Sequence, residues 1–295
     1  MSIIVIGIII SFGAAMMWGI GDFFIQRSTR KVGDWETLFV LCAFGMIVLF
    51  PFVFQNLKIL FDGSHVQDIL ITSASGLALF FAALLILQGM KVGKLSIIEP
   101  LYPLEIITAG IISYFILVEK LSVIEVILIA VLILCFILLS TQERGKLKLR
   151  NLFLEKGVLM VASGSILMGV ADFFMGWGAR VTDALTVNFM VNIIITIITL
   201  VYLIYNRRLF KLFSDIKEFP RLFLAMSVFD NAGWVLYAYA MSIAPIAIVT
   251  TITESSIIMA IFLGLIINKE RLQRHQYIGI IGAVVCAVAL GYFSK

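Results

Sequence analysis

Two acidic residues, Asp230 and Glu254, fall near the middle of stretches otherwise apolar enough to cross a bilayer. Ionisable groups at such depth are costly and normally face a cavity, a partner or a pathway. Asp230, Trp234 and Tyr237 share one helical face at i, i+4 and i+7. An acid beside an aromatic stripe can hold an organic cation or amine by ion pairing and cation–π contact. An Asp hydrogen-bonded to a neighbouring helix, with the rings as ordinary packing, is the equal alternative. Glu254 closes the run Thr250-Thr251-Ile252-Thr253 and precedes Ser255-Ser256. A Glu held out of water there suits proton binding and release; hydroxyl-mediated helix packing is the plainer reading of the same run.

Other polar residues sit inside apolar segments. The run Glu99-Pro100-Leu101-Tyr102-Pro103-Leu104-Glu105 places two prolines among carboxyls, which breaks the hydrogen-bond ladder and frees carbonyls. Broken helices at repeat interfaces are favoured positions for ion and substrate sites, so Glu99 joins Glu254 as a candidate proton carrier and Tyr102 as a candidate substrate contact. A packing kink would explain the prolines equally well. Trp18 and Asp22 share a face, as do Asn188 and Asn192. Trp18 and Asn188 are candidate substrate contacts, although the two Asns also suit packing against another helix. Asp22 and Asp172 fall toward the ends of their spans and, with Pro103, Glu119 and Glu270, are assigned structural or gating roles. No phosphate-cradling Gly-rich motif, His-Glu-x-x-His helix or paired-His pattern occurs, so no ATP drive, metal, cofactor or enzymatic activity is expected. Cys42, Cys135 and Cys286 lack metal-ligand spacing and read as core residues.

These groups need membrane-spanning elements to position them. Hydrophobic residues make up 62% of the 295 and charged residues 14%, which excludes a soluble domain. The expected architecture is all-α and integral to the membrane, with ten spans near 3–25, 36–54, 68–90, 95–118, 122–140, 156–178, 184–205, 220–242, 246–267 and 276–293. Each satisfies its backbone internally as a helix of about 20 residues. The first reads as a retained helix rather than a cleaved signal, having no basic leading region. Between the seventh and eighth, Asn206 to Phe219 alternates apolar and basic residues and reads as an interfacial amphipathic piece ending at Pro220.

The chain repeats itself. Gly19-Ile20-Gly21-Asp22-Phe23-Phe24 recurs as Gly169-Val170-Ala171-Asp172-Phe173-Phe174, and Arg30 as Arg180. After a one-residue shift Met90, Glu119, Leu121 and Cys135 align with Met241, Glu270, Leu272 and Cys286, and Pro103 with Glu254. A five-helix unit ends opposite to where it starts, so residues 1–145 and 146–295 form two inverted copies within one membrane domain, a plan common among secondary transporters. Of the 22 Lys and Arg residues, only Lys58, Lys120, Arg180 and Lys295 lie on the side of the termini. The positive-inside rule then puts both termini outside a plasma membrane. The net charge of +4 suits anionic lipid, with nothing to suggest nucleic acid. Gly279, Ala283, Ala287 and Gly291 form a small-residue stripe on the last span, read as packing within a monomer ahead of a homodimer seam.

With its two registered five-helix repeats, the Trp18-Gly19 pair, and Glu-plus-base turns at Glu119-Lys120 and Glu270-Arg271, the chain resembles the drug/metabolite transporter superfamily, EamA-type, over essentially its whole length. The resemblance implies a helical basket around a central cavity, alternating access, and small metabolites or cationic drugs as cargo, often with proton coupling. The family often carries a proline where Glu254-Ser255-Ser256 stands here, and its ten-helix members are generally drawn with cytoplasmic termini, against the charge count. The expected function is secondary active transport of a small organic metabolite, an amino acid, amine or organic cation in preference to a sugar phosphate. An uncoupled facilitator or channel, or a non-transporting scaffold subunit, is the alternative.

Overall fold

An apolar segment in lipid can satisfy its own backbone only by coiling into a helix. The computed structural model describes residues 2–92, 101–140, 157–263 and 273–294, and contains no strand among them. In chain order the helices are α1 (Ile3–Val32), α2 (Asp34–Leu60), α3 (Val66–Val92), α4 (Leu104–Ile116), α5 (Val123–Ser140), α6 (Val158–Val181), α7 (Ala184–Tyr205), α8 (Leu209–Glu218), α9 (Pro220–Ile243), α10 (Ile246–Thr253), α11 (Ser256–Leu263) and α12 (Arg274–Phe293). Among the described residues six helices, α1, α2, α3, α6, α7 and α12, are long and apolar enough to cross a membrane. Helix α9 has 24 residues, but Asp230, Asn231, Trp234, Tyr237 and Tyr239 make it less apolar than those six. Outward-facing residues such as Phe115, Val123 and Leu159 are each 75% exposed, as a lipid-facing surface requires.

Local chemistry sets the ends. The α1–α2 turn is a single residue, Gly33, whose φ of 115° is one that side-chain-bearing residues rarely adopt. The Asp183 carboxylate caps α7 by accepting the Leu185 and Thr186 N–H groups at 2.9 and 3.0 Å. The expected amphipathic piece is α8, which buries Leu212 against Leu41, Leu203 and Phe223, and Pro220 opens α9 as a first-turn proline.

Three expectations need correction. First, α1 runs to Val32 and α6 to Val181, so Asp22 and Asp172 stand within their helices rather than near the ends; continuing polar residues do not stop a helix when they reach interhelical space or water. Second, in the fourth span the described helix occupies only Leu104–Ile116, starting directly after Pro103, because proline suits a helix start and not an interior. Third, the ninth span is not one helix but two, α10 and α11, separated at Glu254–Ser255. Here the Thr251, Thr253 and Ser255 hydroxyls donate to the carbonyls of Ala247, Val249 and Ile252. The ladder tightens to three-residue spacing where Ser255 N–H meets Ile252 O at 3.0 Å, and such back-bonding bends helices. The boundary expected between residues 145 and 146 lies outside the described residues.

The dominant helix partners are α3 with α6, α1 with α9, α2 with α7, α5 with α12, α4 with α6, and α1 with α10 and α11. Exchanging the two halves of the chain maps this set onto itself. The small-residue stripe of α12 is covered within the chain. A methyl built on Gly279 would meet Leu139 Cγ at 2.9 Å, one on Gly291 would meet Ile8 Cγ2 at 3.1 Å, and Ala283 and Ala287 are fully buried.

A polar knot joins four helix ends. Val118, at a φ of 56° rare for a β-branched residue, follows α4 and leads into Glu119. Its carboxylate pairs with Arg180 of α6 and accepts the Ile246 N–H at 2.9 Å. The guanidinium also donates to the carbonyls of Met241 and Ala244, both at 2.9 Å. The charges of Glu119 and Arg180 and the loose carbonyls of Met241 and Ala244 are thereby satisfied together.

The repeated glycines do matching work. A methyl on Gly19 would stand 2.5 Å from Met259 Cβ and 3.0 Å from Ser256 O; one on Gly169 would stand 2.7 Å from Thr108 Cβ and 2.5 Å from Glu105 O. Met259 and Thr108, like Ser256 and Glu105, hold equivalent places in the shifted repeat register. In both halves a glycine thus lets the first helix lie against the fourth just beyond its break. Gly169→Val should lower the melting temperature in detergent by several degrees, the result of an overpacking cost of about 1–3 kcal/mol. Gly13→Ala, whose methyl would come no closer than 3.5 Å to Leu236, should leave it unchanged, and matching melting curves for the two variants would refute the close-approach account.

Candidate functional site

The glycine contacts fix where the acids go. Asp22 lies three residues beyond Gly19 and Asp172 three beyond Gly169, so each follows its glycine on the face turned to a broken helix. The break after α10 supplies Glu254, and the start of α4 supplies Glu105. Helix α9, packed on α1, supplies Asp230. Glu105 lies close to the carboxyls of both Asp172 and Glu254. Glu254 is also within electrostatic reach of Asp22, and Asp22 of Asp230. None of the described groups acting on these five carboxyls is Lys or Arg.

Burial separates them. Asp172 is 1% exposed, and neither carboxyl oxygen has a hydrogen-bond partner among the described residues. The Glu105 carboxyl and Tyr237 hydroxyl are its polar neighbours, near enough to act on it without closing a well-formed bond. Glu105, Glu254 and Asp230 are partly buried, whereas Asp22 is exposed. Asp22 therefore faces an accessible space that it shares electrostatically with the more enclosed acids.

Three rings form a wall beside these carboxyls. Trp18 and Trp234 meet edge to face with centroids 4.8 Å apart, Trp18 and Tyr237 lie 4.9 Å apart, and Trp234 and Tyr237 5.8 Å apart. Gly233 makes room for the Trp18 indole, since a methyl there would sit 2.5 Å from Trp18 Cδ1. The Trp234 side chain leans on Asp230. Tyr237 is held by a 2.9 Å hydrogen bond between its hydroxyl and that of Thr250. Offset and edge-on rings present electron-rich faces suited to a cation.

The remaining expected residues are placed as follows. Asn188 donates from its amide to the carbonyls of Ala184 at 2.7 Å and Trp234 at 3.2 Å, so it joins α7 to α9 and keeps only its oxygen for other contacts. Asn192 donates to Asn231 at 3.2 Å, and Asn231 in turn to Leu41 O at 3.1 Å, above Gly45. Tyr102 packs against Val158 and Val161. Pro103 is buried at the cap of α4, and Glu119 belongs to the knot with Arg180. Glu99 and Glu270 lie outside the described residues.

Sequence reasoning singled out Glu99 and passed over Glu105. Its position two residues after Pro103, the residue that matches Glu254 in the other half, was the available signal. The halves also differ in what they supply. Asp22 and Asp172 correspond, but Glu254 stands opposite Pro103 and Glu105 opposite Ser256 in the repeat register, so the acid set is lopsided.

Five carboxyls in a low-dielectric interior require positive charge, either protons or a bound cation. Asp172→Asn keeps the shape while removing the most enclosed charge. It should raise the melting temperature by about 2–4 °C, the shift that about 1 kcal/mol gives in larger domains. A fall in melting temperature would show that the carboxyl is a structural support.

Comparison with known proteins follows the same two-part division. A model of the EamA-like transporter family matches residues 5–141 and again 155–292. No curated protein matches the sequence. A crystal structure of a protein 12% identical in sequence superimposes with a TM-score of 0.75 over 98% of this chain and 97% of that one, a likeness of fold alone.

Proposed function

Because the chain belongs to the EamA-like transporter family, we propose that this multi-pass membrane protein is a secondary transporter of a small organic cation or amine, driven by exchange with protons. The observation that carries the reading is the gathering of Asp22, Glu105, Asp172, Asp230 and Glu254 beside Trp18, Trp234 and Tyr237, with no Lys or Arg among the described groups acting on them. Anionic cargo would want buried Lys or Arg instead. An amino acid remains compatible through its ammonium group.

In this reading ten helices, in inverted repeats over residues 1–145 and 146–295, surround the acids in a plasma membrane, with both termini outside. Glu254, at the break between α10 and α11, is the proton carrier. Its neighbours Glu105 and Asp172 share the bound charge, so a proton entering displaces the cation and the reverse. The break lets a short segment turn without disturbing the packed helices around it, which is what a site reached alternately from two sides needs. The knot at Glu119 and Arg180 closes the terminus side in this conformation. Asp230, Trp234, Tyr237 and Trp18 contact the organic part of the cargo.

Substrate-dependent proton movement in proteoliposomes tests this, with amines, amino acids, sugars and nucleosides as candidate cargo. Amines should move protons through the wild type, and Glu254→Gln should abolish that movement. If labelled amine crosses without proton movement in either protein, the chain is an uncoupled facilitator. If only sugars or anions cross, and Asp172→Asn is indifferent, the cation reading fails.

A further inference from the structure

The acids are not one undivided cluster. Asp230 is acted on by Asp22 and Trp234. Glu105 is acted on by Asp172 and Glu254, and Asp172 by Glu105 and Tyr237. Among the described groups, the reach between Asp22 and Glu254 connects the two. The ring wall runs between them, since Trp234 leans on Asp230 at one end and Tyr237 neighbours Asp172 at the other, with Trp18 against both. Asp172 is fully enclosed, and neither of its oxygens has a hydrogen-bond partner among the described residues, so the inner end holds a carboxyl that a cationic donor would satisfy.

We propose that the ligand is a dication, an organic diamine lying with one ammonium between Asp22 and Asp230, its apolar spine along Trp18, Trp234 and Tyr237, and the other ammonium among Glu105, Asp172 and Glu254. This rests on the cation reading above and narrows it. A monoamine satisfies one end and leaves the other dependent on protons. A diamine neutralises both ends, and its methylenes meet rings rather than polar groups. Each ammonium has three donors to divide among facing carboxyl oxygens, and the wall adds cation–π attraction at both ends. Spacing between the nitrogens then becomes the selective feature, because the rings hold the two ends apart.

The test is binding to the full-length protein in lipid nanodiscs by titration calorimetry, using a homologous series of α,ω-diamines and the monoamines of equal chain length. The diamines should show an optimum at one chain length and, at that length, bind at least about tenfold more tightly than the monoamine, about 1.4 kcal/mol. Asp230→Asn and Asp172→Asn, at opposite ends, should each erase that ratio. A ratio near one across the series in the wild type would overturn the dication while leaving the cation reading intact. So would a ratio that survives in both variants. Absence of binding by any amine, in protein that keeps its fold, would overturn both. Because the wild-type series decides by itself, a variant that does not fold does not weaken the test.

Discussion

A carboxyl removed from water must be given a partner, and this chain encloses one that closes no hydrogen bond among the described residues. Asp172, enclosed on every side and without a hydrogen-bond partner among the described residues, is the constraint around which the interior is organised. Glycine at 169 lets α6 press on α4 and delivers Asp172 to Glu105. The break after α10 brings Glu254 to the same place, and Tyr237, held by Thr250, fills the remaining side. Were the acids merely structural, a base or a set of donors would be expected to meet them. Such an arrangement does occur in Arg180 with Glu119, but it lies at the helix ends and joins them.

The polar content of the interior is divided by job. Asn188, Asn192 and Asn231 use their amides to bind helix to helix, where packing and hydrogen bonding replace the hydrophobic effect as the source of association. The hydroxyls of α10 serve the opposite purpose, loosening the ladder before Glu254. Hydrogen-bonded seams and a break in a helix therefore occur within a few turns of each other.

Much of this could be read in the residues themselves. Apolar length marked the membrane-spanning elements, the Gly-x-x-Asp recurrence marked matched positions, and the basic–apolar alternation marked α8. What escaped was depth and direction. Asp22 and Asp172 were placed near span ends because hydropathy falls where polar residues begin, although the helices continue to Val32 and Val181. Glu105 was overlooked because helical phase past a proline depends on where the new helix starts, which Pro103 sets and composition does not reveal. Tyr102 shared a motif with Glu105 but turns toward Val158 and Val161. The break at Glu254 was hidden because no proline announces it; it arises from several hydroxyls acting together on the backbone.

The lopsided acid set has a thermodynamic consequence. Two identical halves would make the inward-facing and outward-facing arrangements equivalent by a two-fold rotation, equal in free energy when the site is empty. Here one half contributes Glu105 where the other has Ser256, and the other contributes Glu254 where the first has Pro103. The two arrangements would then hold their carboxyls in different surroundings. Were the chain a carrier on this plan, the empty protein would not be evenly poised between its faces, and a resting preference for one side of the membrane would follow from the residues before any gradient acted on it.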